Sequence, residues 1–412
     1  MLRVPIFAQV GQMMSKQSGN TFSWPGLDLS KVAGLPGPTG LGTAAARLSE
    51  RLTKAGDVAA ESTPPPPSSV SQPPSDPAYT QRPFLDHKGT PLYCPIAERH
   101  NEPLAEAVDE RLLVWARDCG FNDKEVERIR KNRFGRLVML CHPDCDDPDR
   151  LLIGAKLNAA WWAADDYYAD DSTLGAVPEQ LPPRLVLAMA AMDPLPPAGE
   201  YSHPLEQTLA SDRVLVSLNT ATRYLAKFGT PAQVHRMCYA TFSMFVSWTA
   251  YAAWRYTGQY PQAWKYLAAR QHDSFYTSMT LVDVIGGYEL SANLFYDTRV
   301  RDASFLAGTA VVLVNDLYSV NKDLAEERPP CNMVLQVAAD RGCSIEEATE
   351  ITVQLHNDIV RDFESRHRAL LSVANVELQR FLRGLRAWMG GAFEWHDTNP
   401  RYRTARPTQH KS

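Results

Sequence analysis

An apolar, tryptophan-bearing helical run ends in the stretch Asp165-Asp166-Tyr167-Tyr168-Ala169-Asp170-Asp171. Its acids follow the pattern D-D-x-x-x-D, with Asp171 as an additional carboxylate. Like charges this close repel one another, and the carboxyl end of a helix disfavours anions further. A divalent cation would relieve both penalties, and Mg²⁺ prefers oxygen ligands. Asp165, Asp166, Asp170 and Asp171 are therefore candidate magnesium ligands, and a solvated acidic helix end is the alternative.

A second polar cluster follows about 150 residues later, after the very apolar run 306–314. Asn315, Ser319 and Asp323 recur every four residues, which places an amide oxygen, a hydroxyl and a carboxylate on one helical stripe. Three such oxygens suit one Mg²⁺ ion. Lys322 lies beside them and can meet an anion. A helix that simply emerges into solvent would show the same polar ending.

From about residue 100 onward the pattern predicts helix throughout. Apolar residues recur with helical spacing, for example over 124–141, 205–227 and 275–296, and short joints rich in Pro, Gly and Asp separate the runs. No sustained alternation of period two is present. We therefore predict one all-α domain over residues 91–412 with about ten or more helices.

The first 90 residues differ in composition from the rest. Of the 30 prolines in the chain, 12 fall before residue 86, and four are consecutive at 64–67. A segment of this kind has little to bury and favours extended or polyproline conformations. We predict a disordered Pro-rich extension over residues 1–90.

Bulk composition excludes several classes of protein. The net charge of -5, without a Lys/Arg-rich block, gives no electrostatic footprint for nucleic acid. No apolar stretch approaches the roughly 20 residues of a membrane span, and the first residues lack the apolar core of a secretory signal. The seven cysteines form no regular framework, which is typical of reduced thiols. We expect a soluble, cytoplasmic protein.

Taken together, the two polar clusters resemble the motifs of bacterial class I terpene synthases (terpene cyclases). The acidic motif of that family matches Asp165 to Asp171, and its N-D-x-x-S-x-x-K-E motif matches Asn315 to Asp323. The last position departs, because Asp323 is one methylene shorter than the usual Glu. The resemblance implies a single α-bundle around a central active-site cavity. It also implies three Mg²⁺ ions, two bound by Asp165 and the third by the Asn315, Ser319 and Asp323 set.

Two further elements match the family. Arg270, in Tyr-Leu-Ala-Ala-Arg, stands 45 residues before Asn315, where the family has a diphosphate-sensing arginine. Asp273 and Ser274 match its linker and effector positions, and the family's Arg-Tyr pair recurs near the end of the chain. By resemblance, the side chains that meet the diphosphate would be Arg270, Lys322, Arg401 and Tyr402.

Within the family the chain resembles the 2-methylisoborneol synthases. The grounds are the Pro-rich extension, the Trp-Trp-Ala-Ala-Asp-Asp-Tyr-Tyr stretch at 161–168, His142-Pro143-Asp144, and Ser274-Phe275-Tyr276. The resemblance implies cyclisation of 2-methylgeranyl diphosphate, whose extra methyl group comes from a separate S-adenosylmethionine-dependent geranyl diphosphate methyltransferase. Water capture would give 2-methylisoborneol and proton loss 2-methylenebornane. Geranyl or farnesyl diphosphate as substrate, and a homodimer, stay open.

Aromatic faces suit the carbocations that such a reaction forms, because a cation over a ring gains about 0.5–2 kcal/mol. Most aromatic residues on buried helical faces are nevertheless simply core. The candidates to line the substrate cavity are Trp161, Trp162, Phe245, Trp248, Tyr288, Tyr318 and Trp395.

Three other functions compete with cyclisation. Cys141-His142-Pro143-Asp144-Cys145 offers thiol and imidazole donors for Zn²⁺, although no second Cys/His pair completes a structural site. Chain-elongating prenyltransferases also use three Mg²⁺ ions, but they typically carry two D-D-x-x-D clusters. A helical scaffold without catalysis would release no diphosphate.

Overall fold

The structure is a computed structural model that describes residues 78–170, 176–326 and 329–403. Residues 1–77, which hold most of the predicted extension, and Asp171 lie outside the described residues. The described part is predominantly helical with one short two-stranded sheet, which confirms the predicted all-α class.

A short antiparallel hairpin precedes the helices, with β1 at Tyr79–Arg82 and β2 at Leu92–Pro95. The α-helices of the described chain are α1 Glu102–Asp118, α2 Asp123–Asn132, α3 Phe134–Cys141, α4 Pro148–Ala164, α5 Leu181–Met192, α6 Ser202–Ser211, α7 Arg213–Leu225, α8 Pro231–Thr257, α9 Ala263–His272, α10 Tyr276–Met279, α11 Val282–Ile285, α12 Ala292–Phe295, α13 Thr298–Leu324, α14 Met333–Arg341, α15 Ile345–Leu371, α16 Val376–Thr398 and α17 Pro400–Arg403. Helix α4 continues into a π-helical turn at Asp165–Asp170. Short 3₁₀ turns lie at Pro178–Gln180 and Gly199–Tyr201.

Local signals explain where two predicted helices break. The 124–141 run divides into α2 and α3 because Arg133 between them adopts left-handed backbone, with φ of 53°. The 205–227 run divides at Asp212, whose extended backbone ends α6 and whose carboxylate accepts from the Val214 N–H to cap α7. After the first break α2 and α3 both bury residues, whereas α6 has no buried residue and only α7 packs into the core.

The 275–296 run, predicted as one helix, is instead three short helices. Gly287 has φ of +76°, a conformation that favours glycine and ends α11. The carboxylate of Asp283 accepts hydrogen bonds from the N–H groups of Val284 and Leu290, and it forms an ion pair with Arg236. These contacts stabilise the broken path. Upstream of this break, residues 273–275, 277 and 278 line the central cavity.

The N-terminal boundary also differs from the prediction. Residues 78–90 fall within the predicted extension, yet they form β1 and the turn that leads to β2. The Tyr93 N–H donates to Asn357 Oδ1 over 2.7 Å, and Arg82 pairs with Glu394 at 2.9 Å. The described fold therefore begins with this hairpin, which is fixed to α15 and α16.

Helix α13 is the central helix of the domain. It packs against α10, α14, α15 and α16, and most of its residues from Val300 to Asp323 are buried. By length and composition it could cross a membrane, but 78% of its most apolar window is buried inside the protein. Its apolar character is that of a core helix.

Candidate active site

A cavity of about 190 Å³ lies between α4, α8, α9 and α13. One wall is a face of α4 on which Asn158, Trp161, Trp162 and Asp165 follow at helical spacing. The π-helical turn extends this wall to Ala169. Such turns are rare and frequently lie at functional sites. This one is anchored from outside, since Tyr168 donates to Asp212 Oδ2 over 2.6 Å.

The two acids of the motif whose side chains are described do not share one position. Asp165 is on the cavity wall, whereas Asp166 lines a separate small pocket beside Phe121 and Tyr167. Asp170 closes the π-helical turn, but its side chain is not described, and Asp171 lies outside the described residues. Of the acidic motif, the structure therefore places Asp165 toward the second cluster.

Asn315, Ser319 and Asp323 lie together on the opposite wall, on α13. The Ser319 hydroxyl donates to Asp323 Oδ2 over 2.7 Å. Asn332 at the start of α14 donates its amide to the same carboxylate oxygen at 2.9 Å. Burial raises the pKa of Asp323, and these two hydrogen bonds oppose that rise.

Arg270 is held by a buried carboxylate that the motif also contains. Its guanidinium donates to Asp316 Oδ1 through Nε at 3.1 Å and Nη2 at 2.7 Å. The other oxygen of Asp316 accepts from the Tyr266 hydroxyl and the Met333 N–H. Burial disfavours the charged guanidinium, but the adjacent Asp316 raises the pKa of Arg270 above its ordinary value. Arg270 is thus a fixed cation at the edge of the cavity.

Asp273 connects Arg270 to the aromatic wall. Arg270 Nη1 donates to Asp273 Oδ2 over 2.6 Å, and the Trp248 indole N–H donates to Asp273 Oδ1 over 2.9 Å. Burial raises the pKa of Asp273, while the charge of Arg270 opposes that rise. Ser274 and Phe275 follow on the cavity wall, at the joint between α9 and α10.

Two of the three remaining predicted diphosphate ligands belong to the same cavity. Lys322 and Tyr402 line the cavity. The Tyr402 hydroxyl accepts from the Asn315 amide over 2.9 Å, while Asn315 Oδ1 accepts from Arg270 over 3.2 Å. Arg401 lies in α17, and its side chain is not described.

Three of the seven predicted aromatic residues line the cavity, namely Trp161, Trp162 and Trp248. The others do not belong to its wall. Phe245 packs behind Trp248 with ring centroids 5.2 Å apart, and Tyr288 lies under Arg380. Tyr318 donates to Asp397, and Trp395 donates to the Asn132 carbonyl.

The oxygen donors on the two walls fit a hard divalent cation. They are an amide oxygen, a hydroxyl and carboxylates, which is the donor set that Mg²⁺ accepts. Asp323 and Ser319 are already within hydrogen-bond distance of one another, so their oxygens converge on one point. The residues present therefore suit magnesium better than a soft metal.

The cysteine-rich loop gives no support for zinc. Cys141 Sγ donates to the Trp388 carbonyl, and the His142 ring packs edge-on against Trp388. Cys145 Sγ turns instead to the Asp147 carbonyl. Within the described ranges, no three His, Cys, Asp or Glu side chains come together as a metal site.

Several residues of the cavity were missed from the sequence. Asn332 could be recognised as a helix N-cap, but its amide bonds to α13 join separate elements. Tyr251, Thr277 and Ser278 line the cavity itself, whereas Asn332 is not part of that lining. A hydroxyl on a helix has no local signal that distinguishes a cavity wall from ordinary core.

Comparison with known proteins agrees with this geometry. A family profile described as "Terpene synthase family 2, C-terminal metal binding" matches residues 156–362. The 2-methylisoborneol synthase of Streptomyces griseus is 32% identical over 385 residues, which cover 93% of this chain and 82% of that protein. The chain belongs to the terpene synthase family.

Solved structures and more distant relatives are also similar to this terpene synthase. The crystal structure of 2-methylisoborneol synthase from Streptomyces coelicolor A3(2), in complex with Mg²⁺ and 2-fluoroneryl diphosphate, superimposes with a TM-score of 0.71 at 30% identity. The match covers 80% of this chain and 97% of that one. The bonnadiene synthase of Allokutzneria albata is 25% identical over 76% of the chain. The protein is a class I terpene synthase, a lyase with terpene cyclase activity.

Proposed function

We propose that this terpene synthase converts 2-methylgeranyl diphosphate to 2-methylisoborneol with release of diphosphate. The observation that carries the proposal is the likeness to 2-methylisoborneol synthases over nearly the whole chain, at 32% identity with the Streptomyces griseus enzyme. The cavity agrees with it, since charged groups occupy one end and tryptophans line the wall. The alternative final step, proton loss to 2-methylenebornane, uses the same substrate and the same walls.

The polar end of the cavity would bind the diphosphate. Arg270 is held rigidly by Asp316 and Asp273, so little conformational freedom is lost when it meets an anion. Lys322 adds a second positive charge, and the Tyr402 hydroxyl, which already accepts from Asn315, can donate its proton to a phosphate oxygen. Fixed donors aimed at a developing negative charge stabilise the departure of the leaving group.

Asp165 on one wall and Asn315, Ser319 and Asp323 on the other would hold Mg²⁺, and we propose three ions. When bound, Mg²⁺ neutralises negative charge on the diphosphate as a Lewis acid. The Asn332 amide would orient Asp323 by bonding one of its oxygens. Through that contact the shorter Asp323 is kept in place at a position where the family usually has Glu.

The apolar part of the cavity would shape and shield the carbocation. Trp161 and Trp248 are almost fully buried, and Trp162 is wedged between Phe134 and Phe275. Rings packed on both sides cannot rotate, so they present a fixed face to the substrate. A cation over such a face is stabilised without a nucleophile that would trap it.

Three wider proposals follow from this function. The C11 substrate would need a separate S-adenosylmethionine-dependent methyltransferase that acts on geranyl diphosphate. The protein would act in the cytoplasm, and it would pair as a homodimer. Cross-linking and sedimentation of purified protein would test the last of these.

The deciding experiment is product analysis by gas chromatography and mass spectrometry. Purified protein with Mg²⁺ is given 2-methylgeranyl, geranyl or farnesyl diphosphate in separate reactions, and a reaction with chelator is the control. A C11 bicyclic alcohol as main product from the first substrate is expected. A main product from farnesyl diphosphate would reject the C11 substrate, and no volatile product from any of the three would reject the activity.

A further inference from the structure

We infer that Thr277, with Ser278 and Asn158 beside it, holds the water molecule that captures the final carbocation and so makes the product an alcohol. This inference rests on the proposed function and deepens it. It assigns the choice between alcohol and alkene to a small polar patch in the tryptophan-lined part of the cavity.

Thr277 is the central observation. It lies on α10 and lines the cavity, and its side chain is only 2% exposed. Its hydroxyl has no hydrogen-bond partner among the described residues. Leaving a buried hydroxyl unbonded costs free energy, so a native protein normally supplies such a group with a partner from the protein, a ligand or ordered water.

The hydrogen bonds of Ser278 and Asn158 leave an acceptor oxygen beside Thr277 that a water could use. The Ser278 hydroxyl donates its proton to Asn158 Oδ1 over 2.9 Å, and the Asn158 amide donates to the Gly154 carbonyl over 2.9 Å. Asn158 is therefore locked in one orientation. Ser278 has given its only proton away, so its oxygen can act toward the cavity only as an acceptor.

Acceptors are what a nucleophilic water requires. A water that attacks a cation must turn a lone pair toward it, and its two O–H groups must then donate to the protein. The Thr277 and Ser278 oxygens can both accept. Two other cavity-lining groups without partners suit this role less well, because the Trp161 indole only donates and Tyr251 lies in the field of Arg270 and Asp273.

The patch is also well placed along the cavity. Asn158 precedes Asp165 by seven residues on one helix, which separates them by about 10 Å along its axis. Asn158 is thus set back from Asp165 by about two helical turns. A water held against Asn158 and Ser278 would meet the cation beside Trp161 and Trp162 of the same wall.

The chemistry balances without any further reactant. One lone pair of the water forms a C–O bond to the tertiary cationic carbon, and the resulting oxonium loses one proton. That proton ends on the diphosphate released in the first step. Substrate and water together give the alcohol and protonated diphosphate, and without the water the cation loses a C–H proton to the same diphosphate and gives the alkene.

The test is the product ratio of Thr277→Val, which keeps the shape and removes the hydroxyl. We expect the ratio of alcohol to alkene to fall by about five- to tenfold, which is the effect of losing one hydrogen bond to the water. Diphosphate release is measured in the same reactions, so that a change in the ratio is separated from a change in turnover. Reactions in ¹⁸O-labelled water, read by mass spectrometry, count the alcohol that comes from solvent.

Two further variants separate a water-holding role from a packing role. Thr277→Ser retains a hydroxyl and should retain the wild-type ratio. Thr309→Val removes a buried hydroxyl that already donates to the Phe305 carbonyl at 2.7 Å, away from the cavity wall, and should leave the ratio unchanged. Thermal unfolding of Thr277→Val, compared with wild type, checks that the fold is intact.

The outcomes keep this inference apart from the proposed function. An unchanged ratio in Thr277→Val overturns the water site and leaves the cyclase intact. A wild-type enzyme that makes cyclic hydrocarbon without alcohol does the same. If none of the three diphosphates yields a cyclic product, the proposed function fails and the inference fails with it.

Discussion

At the scale of single residues, the site depends on carboxylates whose partners come from elsewhere in the chain. Asp323 is shorter than the glutamate usual in its motif, yet the Asn332 amide bonds both its carboxylate and the Ser319 hydroxyl. The same amide donates to the Asp316 carbonyl over 2.9 Å. One residue of α14 therefore fixes three positions of α13. The motif identifies the acids, and the long-range amide orients them.

Replacement of Asp323 by Asn tests this arrangement. The substitution keeps the volume and removes the charge that would bind Mg²⁺, so we expect the Mg²⁺ concentration for half-maximal activity to rise by about 10–100-fold. Product formation as a function of Mg²⁺ concentration measures it. Asp302→Asn, an exposed ion-pair change on the same helix, is the matched control and should leave the curve unchanged. An unaltered Mg²⁺ requirement in Asp323→Asn would remove Asp323 from the metal site.

At the scale of elements, one crossing determines the shape of the cavity. Helix α13 passes so close to the joint between α9 and α10 that Gly308 has no room for a side chain. An added Cβ would lie 2.6 Å from the Tyr276 nitrogen and 2.9 Å from Ser274 Oγ. The joint carries Ser274 and Phe275 on the cavity wall, so this close approach positions part of the site.

Gly308→Ala should therefore be destabilising, although alanine favours an isolated helix. We expect a loss of about 1–3 kcal/mol in the free energy of unfolding, because backbone must move to relieve the contact. Urea denaturation measures it, together with product formation. Gly229→Ala is the control, since its nearest neighbour is a Val284 methyl group at 3.2 Å, and it should change stability by less than about 1 kcal/mol. Stabilisation by Gly308→Ala would show that α13 leaves room for a methyl group at this crossing and would contradict the prediction.

At the scale of the whole molecule, two buried histidines make the fold sensitive to acid. Burial lowers the pKa of His142 to about 4, against a weaker opposing effect of Asp144, and burial likewise lowers the pKa of His356 to about 4. Both rings are neutral in the folded protein at pH 5 but protonated in the unfolded chain. The unfolded state then binds more protons, so stability falls as the pH drops below about 6.5.

We expect each of these histidines to lower the free energy of unfolding by about 2 kcal/mol when the pH falls from 7.5 to 5. His142→Phe keeps a ring against Trp388 and removes the titration, so its loss of stability over this range should be smaller by that amount. Asp109 acts in the opposite direction, since burial raises its pKa to about 6, and the comparison of variants cancels that contribution. Urea denaturation at the two pH values measures this loss of stability. The exposed His203→Gln variant is the control and should lose as much stability as wild type. Equal losses in wild type and His142→Phe would contradict the prediction.

The hairpin should contribute to global stability. Its residues Leu92 and Cys94 are buried, and Asn357 on α15 bonds both the Tyr93 N–H and the Pro91 carbonyl. A chain that starts at Ala97 would leave this buried amide and the apolar surface beneath the hairpin exposed. We expect it to unfold at lower urea concentration than a chain that starts at Ala78. Equal urea midpoints for the two truncated chains would mean that the hairpin contributes nothing to global stability.

Local patterns in the sequence determined the class of the protein. Helical spacing depends on residues three and four apart, so it can be seen without a structure, and so can an Asn, a Ser and an Asp at successive steps of four. Those short-range features were sufficient for the all-α class and the terpene synthase motifs. Only the tertiary structure decided the break of 275–296, the hairpin at 79–95, and the separation of Trp161 and Trp248 on the cavity wall from Tyr288 beneath Arg380. Each of these depends on contacts between residues far apart in the chain, such as Arg236 with Asp283 or Arg270 with Asp316. Periodicity reports which face of a helix is apolar, but what that face meets is settled only when the helices pack.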